Sequence, residues 1–117
     1  MNKQYRVKKS NEIEDILKNK KYSGSKYFTL YVKTNSETSH FRYAISVGKK
    51  LGNAVIRNLI KRRIRACITN LNINLDKNVD VFIIAKTIVN KLDYEAMYKD
   101  LRYLFRKQNL LQGENND

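Results

Sequence analysis

The densest chemistry in the sequence lies at residues 48–65, GKKLGNAVIRNLIKRRIR, which hold seven Lys or Arg and no Asp or Glu. Wound as a helix at about 100° per residue, the stretch and its continuation separate into two faces. Ile56, Ile60, Ile64, Cys67, Ile68 and Leu71 fall on one, and Asn58, Lys61, Arg62 and Arg65 on the other. Side chains at such i, i+3, i+4 spacings are neighbours, so one face reads as core and the other as a concentrated cationic strip. Like charges at those spacings oppose helix formation, and a polyanionic partner relieves the repulsion. Just before the helix, Gly48 and Gly52 allow backbone to approach a ligand. Asn53 is placed to cap the helix, and amides exposed at its start favour anions. Lys49 and Lys50 stand beside that turn, and Arg57, Arg62 and Arg65 bring planar donor forks that suit phosphates and base edges. The chemistry indicated is phosphate recognition. A solvated helix face would account for one or two lysines, not for seven uncompensated cations. The stretch is no nucleotide-triphosphatase loop, which needs Gly, four residues, then Gly-Lys-Ser/Thr; here Gly52 precedes Asn53. ATP or GTP hydrolysis is disfavoured.

Other residues carry weaker signals. Tyr27 and Tyr31 lie beside Lys33 on one face of an expected strand. Aromatics next to cations on a sheet form a platform for unpaired bases, unless helices cover that face and the tyrosines are core. Ile13 and Leu17 of an expected first helix would either wall such a platform or simply pack. His40 is the one histidine, in an expected loop and with no evident partner for acid–base work. Cys67 sits on the apolar helical face as a small buried residue. Glu12, Glu14 and Asp15 fall in a first helical turn, where they favour the helix dipole; nothing in their spacing argues for a metal. Tyr98, Arg102 and Arg106 would line the outer face of a last helix as a minor basic patch.

The elements that must position these groups are readable from periodicity. A first helix is expected from Ser10 or Asn11, with Asn11 and Glu14 in a cap-and-third-residue pattern. Residues 27–33, YFTLYVK, read as a strand with Phe28, Leu30 and Val32 on one side and Tyr27, Thr29, Tyr31 and Lys33 on the other. Residues 41–47, FRYAISV, read as a second strand, and the two joined by 34–40 suggest an antiparallel pair. The cationic helix follows at 53–70. Residues 79–85, VDVFIIA, are apolar on both faces and suit an interior strand. Asp93 can cap a last helix with Tyr94, Met97, Leu101, Leu104 and Phe105 in one stripe. A further short strand is expected near 22–26. The result is one α+β domain spanning 1–117, with flexible ends at 1–9 and 113–117.

Composition agrees. The chain has 117 residues, 42% hydrophobic, with 24 Lys+Arg against 11 Asp+Glu and a net charge of +13. No acidic residue occurs between Glu37 and Asp76, whereas eight Lys or Arg do. A merely soluble surface mixes both signs, so the expected partner is nucleic acid. One cysteine excludes an internal disulfide. With no apolar run long enough to span a bilayer and no secretory signal, no membrane partner is expected and the cytoplasm is favoured. The residues themselves lead to a small RNA-binding domain without a protein active site. A structural ribosomal-type RNA-binding protein, or a self-sufficient ribonuclease using His40, would be the competing classes.

Residues 46–65, SVGKKLGNAVIRNLIKRRIR, resemble the signature of the bacterial ribonuclease P protein family, matching at Lys49, Lys50, Gly52, Asn53, Ala54, Val55, Arg57, Asn58, Ile60, Lys61, Arg62 and Arg65. The likeness continues in order through YRVKKSNEIEDIL, YFTLYV, VFIIAK and DLRYLFRK. Leu59 departs from it, standing where the second Arg of the family's Arg-Asn-Arg would be, and Ile13 and Leu17 stand where relatives often carry Phe. The resemblance implies an α-β-β-β-α-β-α two-layer domain with a mixed central sheet and a left-handed β-α-β crossover, as in the second domain of a small-subunit ribosomal protein. It implies a separate catalytic RNA that removes the 5′ leader of precursor tRNA with Mg²⁺, and no obligate protein partner. Lys49, Lys50, Asn53, Arg57, Asn58, Lys61, Arg62 and Arg65 would bind that RNA. Ile13, Leu17, Lys26, Phe28 and Tyr31 would line a cleft for the leader.

Overall fold

The computed structural model describes residues 3–113, apart from the side chains of Asn90 and Lys91. The elements run α1 (Ser10–Lys18), β1 (Tyr22–Gly24), β2 (Phe28–Thr34), β3 (Arg42–Val47), α2 (Ala54–Asn70), β4 (Val79–Ala85) and α3 (Tyr94–Lys107). This is the α-β-β-β-α-β-α order, and the short strand expected near 22–26 is β1. The sheet order is β1-β2-β4-β3, with β1–β2 and β2–β4 antiparallel and β3–β4 parallel.

The sheet corrects one expectation. Residues 27–33 and 41–47 do not form a hairpin, because β4 lies between β2 and β3. The reason is burial. Six of the seven β4 residues are buried, on both faces, and only a central position covers both sides of such a strand. The segment between β2 and β3 is held instead by the approach to β4, through Asn35 N–H to Asn78 O and Phe41 N–H to Leu75 O. The parallel β3–β4 pair is bridged by α2, since parallel neighbours need a crossover.

One sheet face carries Phe28, Leu30, Val32, Tyr43, Val47, Val81 and Ile83 into the main core. There α2 contributes Ile60, Ile64, Cys67 and Ile68, and α3 contributes Met97, Leu101, Leu104 and Phe105, all buried. Asp93 caps α3 as expected, accepting from Ala96 N–H at 2.9 Å. On the opposite face α1 packs its Ile16 with Val7 and Phe82 in a smaller cluster. That helix starts at Ser10, but Asn11 lies inside it; Lys9 occupies the cap with no side-chain bond. Residues 3–9 were expected to be a loose end. Here Arg6 bridges to Tyr43 in parallel register, and Val7 N–H donates to Tyr43 O at 2.8 Å. Residues 1–2 and 114–117, the rest of the expected flexible ends, lie outside the described residues.

Candidate nucleic-acid interface

The start of α2 is built by a tight turn. A single 3-10 turn, Lys49–Leu51, buries Leu51 and leaves Lys49 and Lys50 exposed. Gly52 follows at φ +147°, and a Cβ there would lie 2.9 Å from the Cγ2 of Ile56. Only glycine meets both conditions without strain. The Asn53 side chain then accepts from Ile56 N–H at 3.0 Å, the expected cap. Arg57 Nε donates to Gly52 O at 3.2 Å, so this arginine partly braces the turn it follows.

Beyond the turn the cationic strip divides by depth. Asn58 and Arg62 are exposed, whereas Lys61 and Arg65 are half-buried on the flank nearest β3. Arg63, which lies off the strip, reaches 3.5 Å from Leu92 O beside α3. Ile56, expected on the core face, is 40% exposed, as are Val55 and Leu59 at 77% and 38%. The buried face of α2 therefore begins at Ile60.

Lys61 and Arg65 share a cavity of about 210 Å³ with Arg6, Lys8, Ile13 and Ala44. Its other lining residues include no carboxylate. Arg65 Nε is buried and has no acceptor among the described residues, a costly state for a donor unless an acceptor is supplied. Sequence reasoning missed Arg6 and Lys8. Their only signal was the run YRVKK, and their placement depends on the backbone bridge to β3.

The α1 side of the sheet carries the second constellation. Register sets Tyr22, Tyr31, Phe82 and Ala44 in one row across the four strands, with Thr29, Ile84 and Ser46 in the next. Ile13 and Tyr31 are half-buried against the Val7–Ile16–Phe82 cluster, and Leu17 is 36% exposed at the helix flank. Asn19 Nδ2 donates to Val32 O at 3.1 Å and ties the end of α1 to β2. Ile13 and Tyr31 thus meet at that cluster on the α1 side of the sheet, with Leu17 one turn further along the helix. Tyr22, not anticipated, lies opposite Tyr31 on β1 and is 59% exposed. Lys26 is exposed in the β1–β2 turn, at the sheet edge. Phe28 does not belong. It is fully buried in the main core, because alternation sends it to the opposite face from Tyr31. Tyr27, expected on the face of Tyr31, lies just before β2 and packs against the main core instead.

Cys67 and His40 also stand out in the sequence. Cys67 is fully buried, and burial pushes its thiol up to about 11. His40 makes an edge contact with Tyr5 at 5.1 Å, and its Nδ1 lies 2.9 Å from Phe41 O. Among the described residues no group of three or more His, Cys, Asp or Glu is placed to hold a metal, and no helix is long and apolar enough to cross a membrane.

A cationic strip and a partly exposed tyrosine pair thus lie on one small α+β domain. A profile of the Ribonuclease P family matches residues 1–109. This chain belongs to the ribonuclease P protein family. It is 37% identical over 111 residues to the ribonuclease P protein component of Enterococcus faecalis, covering 95% of this chain and 94% of that one. It is 36% identical over 110 residues to the corresponding component of Bacillus cereus, covering 94% and 96%. Among solved structures, the Staphylococcus aureus RNase P protein superposes with a TM-score of 0.82 at 32% identity, over 92% of this chain and 98% of that chain.

Proposed function

We propose that this chain is the RNA-binding protein subunit of a ribonuclease P that removes the 5′ leader of precursor tRNA in the cytoplasm, with cleavage carried out by a separate catalytic RNA. The observation that carries this reading is the pairing of the α2 strip with the α1 groove in a chain of this family. Lys49, Lys50, Asn53, Arg57, Asn58, Lys61, Arg62 and Arg65 hold the catalytic RNA. Their cations neutralise phosphates and release counterions, which makes binding strongly salt-dependent. Ile13, Leu17, Tyr31 and Tyr22 take the single-stranded leader, whose unpaired bases can stack on the tyrosines. Lys26 meets leader phosphate at the sheet edge. Mg²⁺ belongs to the RNA partner, where it supplies charge stabilisation for phosphodiester cleavage. The protein's own contribution is positioning: it turns the encounter of leader and catalytic RNA into a nearly intramolecular one.

The deciding experiment is processing of precursor tRNA by the cognate RNA at low Mg²⁺, with and without this protein. Stimulation by the protein supports the reading, and no stimulation defeats it.

A further inference from the structure

We propose that the Glu12–Arg42 ion pair is a positioning clamp that fixes α1 over the sheet and thereby sets the width of the leader groove. The proposal rests on the groove reading given above. Arg42 lies on β3, on the α1 side of the sheet, opposite Asp80 in the parallel register. Its Nε and Nη2 donate to the two Asp80 oxygens at 2.9 and 2.8 Å. Asp80 is only 2% exposed and also accepts from Asn35 Nδ2 at 2.9 Å. Buried charge is stable only when paired and hydrogen-bonded in this way. Arg42 is therefore locked to the sheet before it touches the helix. The remaining bond, from Nη2 to Glu12 Oε2 at 2.6 Å, is the one in this cluster that reaches α1.

That bond has little apolar help. Ile16 is the one buried side chain of the nine-residue α1, and so short a helix is marginal without tertiary contacts. An apolar contact is non-directional and leaves the helix free to roll. Two polar ties remove that freedom: Glu12 to Arg42 near the start and Asn19 to Val32 O at the end. Ile13 and Leu17, which the groove reading assigns to the leader, lie between them along the chain. The same geometry explains why Arg42, a cation in the acid-free stretch, is no phosphate ligand. Two carboxylates already neutralise it, and the bonds to Asp80 above all hold its guanidinium charged.

The test uses Glu12→Ala in the holoenzyme reconstituted with cognate RNA, titrated with precursor tRNA and with leaderless mature tRNA. Glu12 is partly exposed, so the variant is expected to fold. Affinity for the leader-bearing substrate should fall about tenfold, with mature tRNA held within about twofold. The cleavage rate at saturating substrate should not change. Glu12→Gln, whose amide oxygen still accepts from Arg42, should restore most of the loss. In the free protein, Glu12→Ala should speed amide exchange across α1 and leave β2 and β4 protected. Unchanged exchange in α1, or equal losses for both tRNAs, overturns the clamp. So does a normal leader affinity for Glu12→Ala where Tyr31→Ala retains its leader-specific loss. If Tyr31→Ala shows no leader-specific loss, the groove reading falls and the clamp's proposed role with it.

Discussion

Tyr22 and Tyr31 stand directly opposite each other on β1 and β2, with ring centroids 5.2 Å apart and planes tilted by 34°. Tyr31 is half-buried beside α1, whereas Tyr22 is 59% exposed. The pair is an aromatic shelf whose open end is Tyr22. If leader bases stack there, Tyr22→Ala should weaken binding of leader-bearing precursor by about 1–3 kcal/mol. Mature tRNA should bind as before. Comparing the two dissociation constants checks this, and the double variant with Tyr31→Ala should lose less than the sum of the single losses, because the rings touch.

Neighbouring arginines on α2 should behave differently. Arg62 is exposed on the cationic strip, whereas Arg63 is half-buried and directed to Leu92 O. Each phosphate contact contributes roughly 0.7–0.9 to the slope of log affinity against log salt. Arg62→Ala should therefore reduce the slope for the proposed RNA partner by about that amount. Arg63→Ala should leave the slope in place and lower thermal stability instead. Salt titrations of both variants, with calorimetry, separate the two roles.

The cationic strip was legible in the sequence because helical periodicity is local: Asn58, Lys61, Arg62 and Arg65 needed only their spacing. The caps Asn53 and Asp93 were legible for the same reason. What local pattern cannot specify is which strands become neighbours. Residues 27–33 and 41–47 look like a hairpin until a strand some forty residues later proves apolar on both sides and takes the place between them. Phe28 was misassigned at the site although its alternation with Tyr31 already sent it to the core. Arg6 and Lys8 were invisible, since their role depends on one backbone bridge to Tyr43 rather than on any motif.

Cys67 offers a pH test. Burial raises its thiol from 9.0 to about 11. A group whose folded pKa is raised adds stability that is fully present below the unfolded value and disappears as pH rises through the folded one. The window is therefore about pH 9 to 11. Wild type should lose more stability than Cys67→Ala over that range, the difference removing the contribution of the other titrating groups. At pH 8 the native thiol should resist a water-soluble disulfide reagent until the chain unfolds, because the reactive species is the thiolate. Rapid labelling of the folded protein would contradict this burial.

Gly52 should be among the least replaceable residues of the proposed RNA interface. Its φ of +147° is a conformation that other residues rarely adopt, and an added Cβ would lie 2.9 to 3.0 Å from three side-chain carbons of Ile56. Gly52→Ala therefore meets two costs at once. Backbone strain of this kind is worth about 1–3 kcal/mol. Ile56 could move outward, being 40% exposed, but its own N–H is the donor to the Asn53 cap. A shift at Ile56 thus disturbs the cap, and with it the Gly52 carbonyl that Arg57 braces. The expected outcome is a clear fall in Tm together with weaker binding to the proposed RNA partner, whereas Gly48→Ala, where an added Cβ meets nothing within 4 Å, should be nearly neutral in stability. Thermal unfolding and RNA affinity measured on both variants check the contrast, and equal behaviour of the two glycines would refute it.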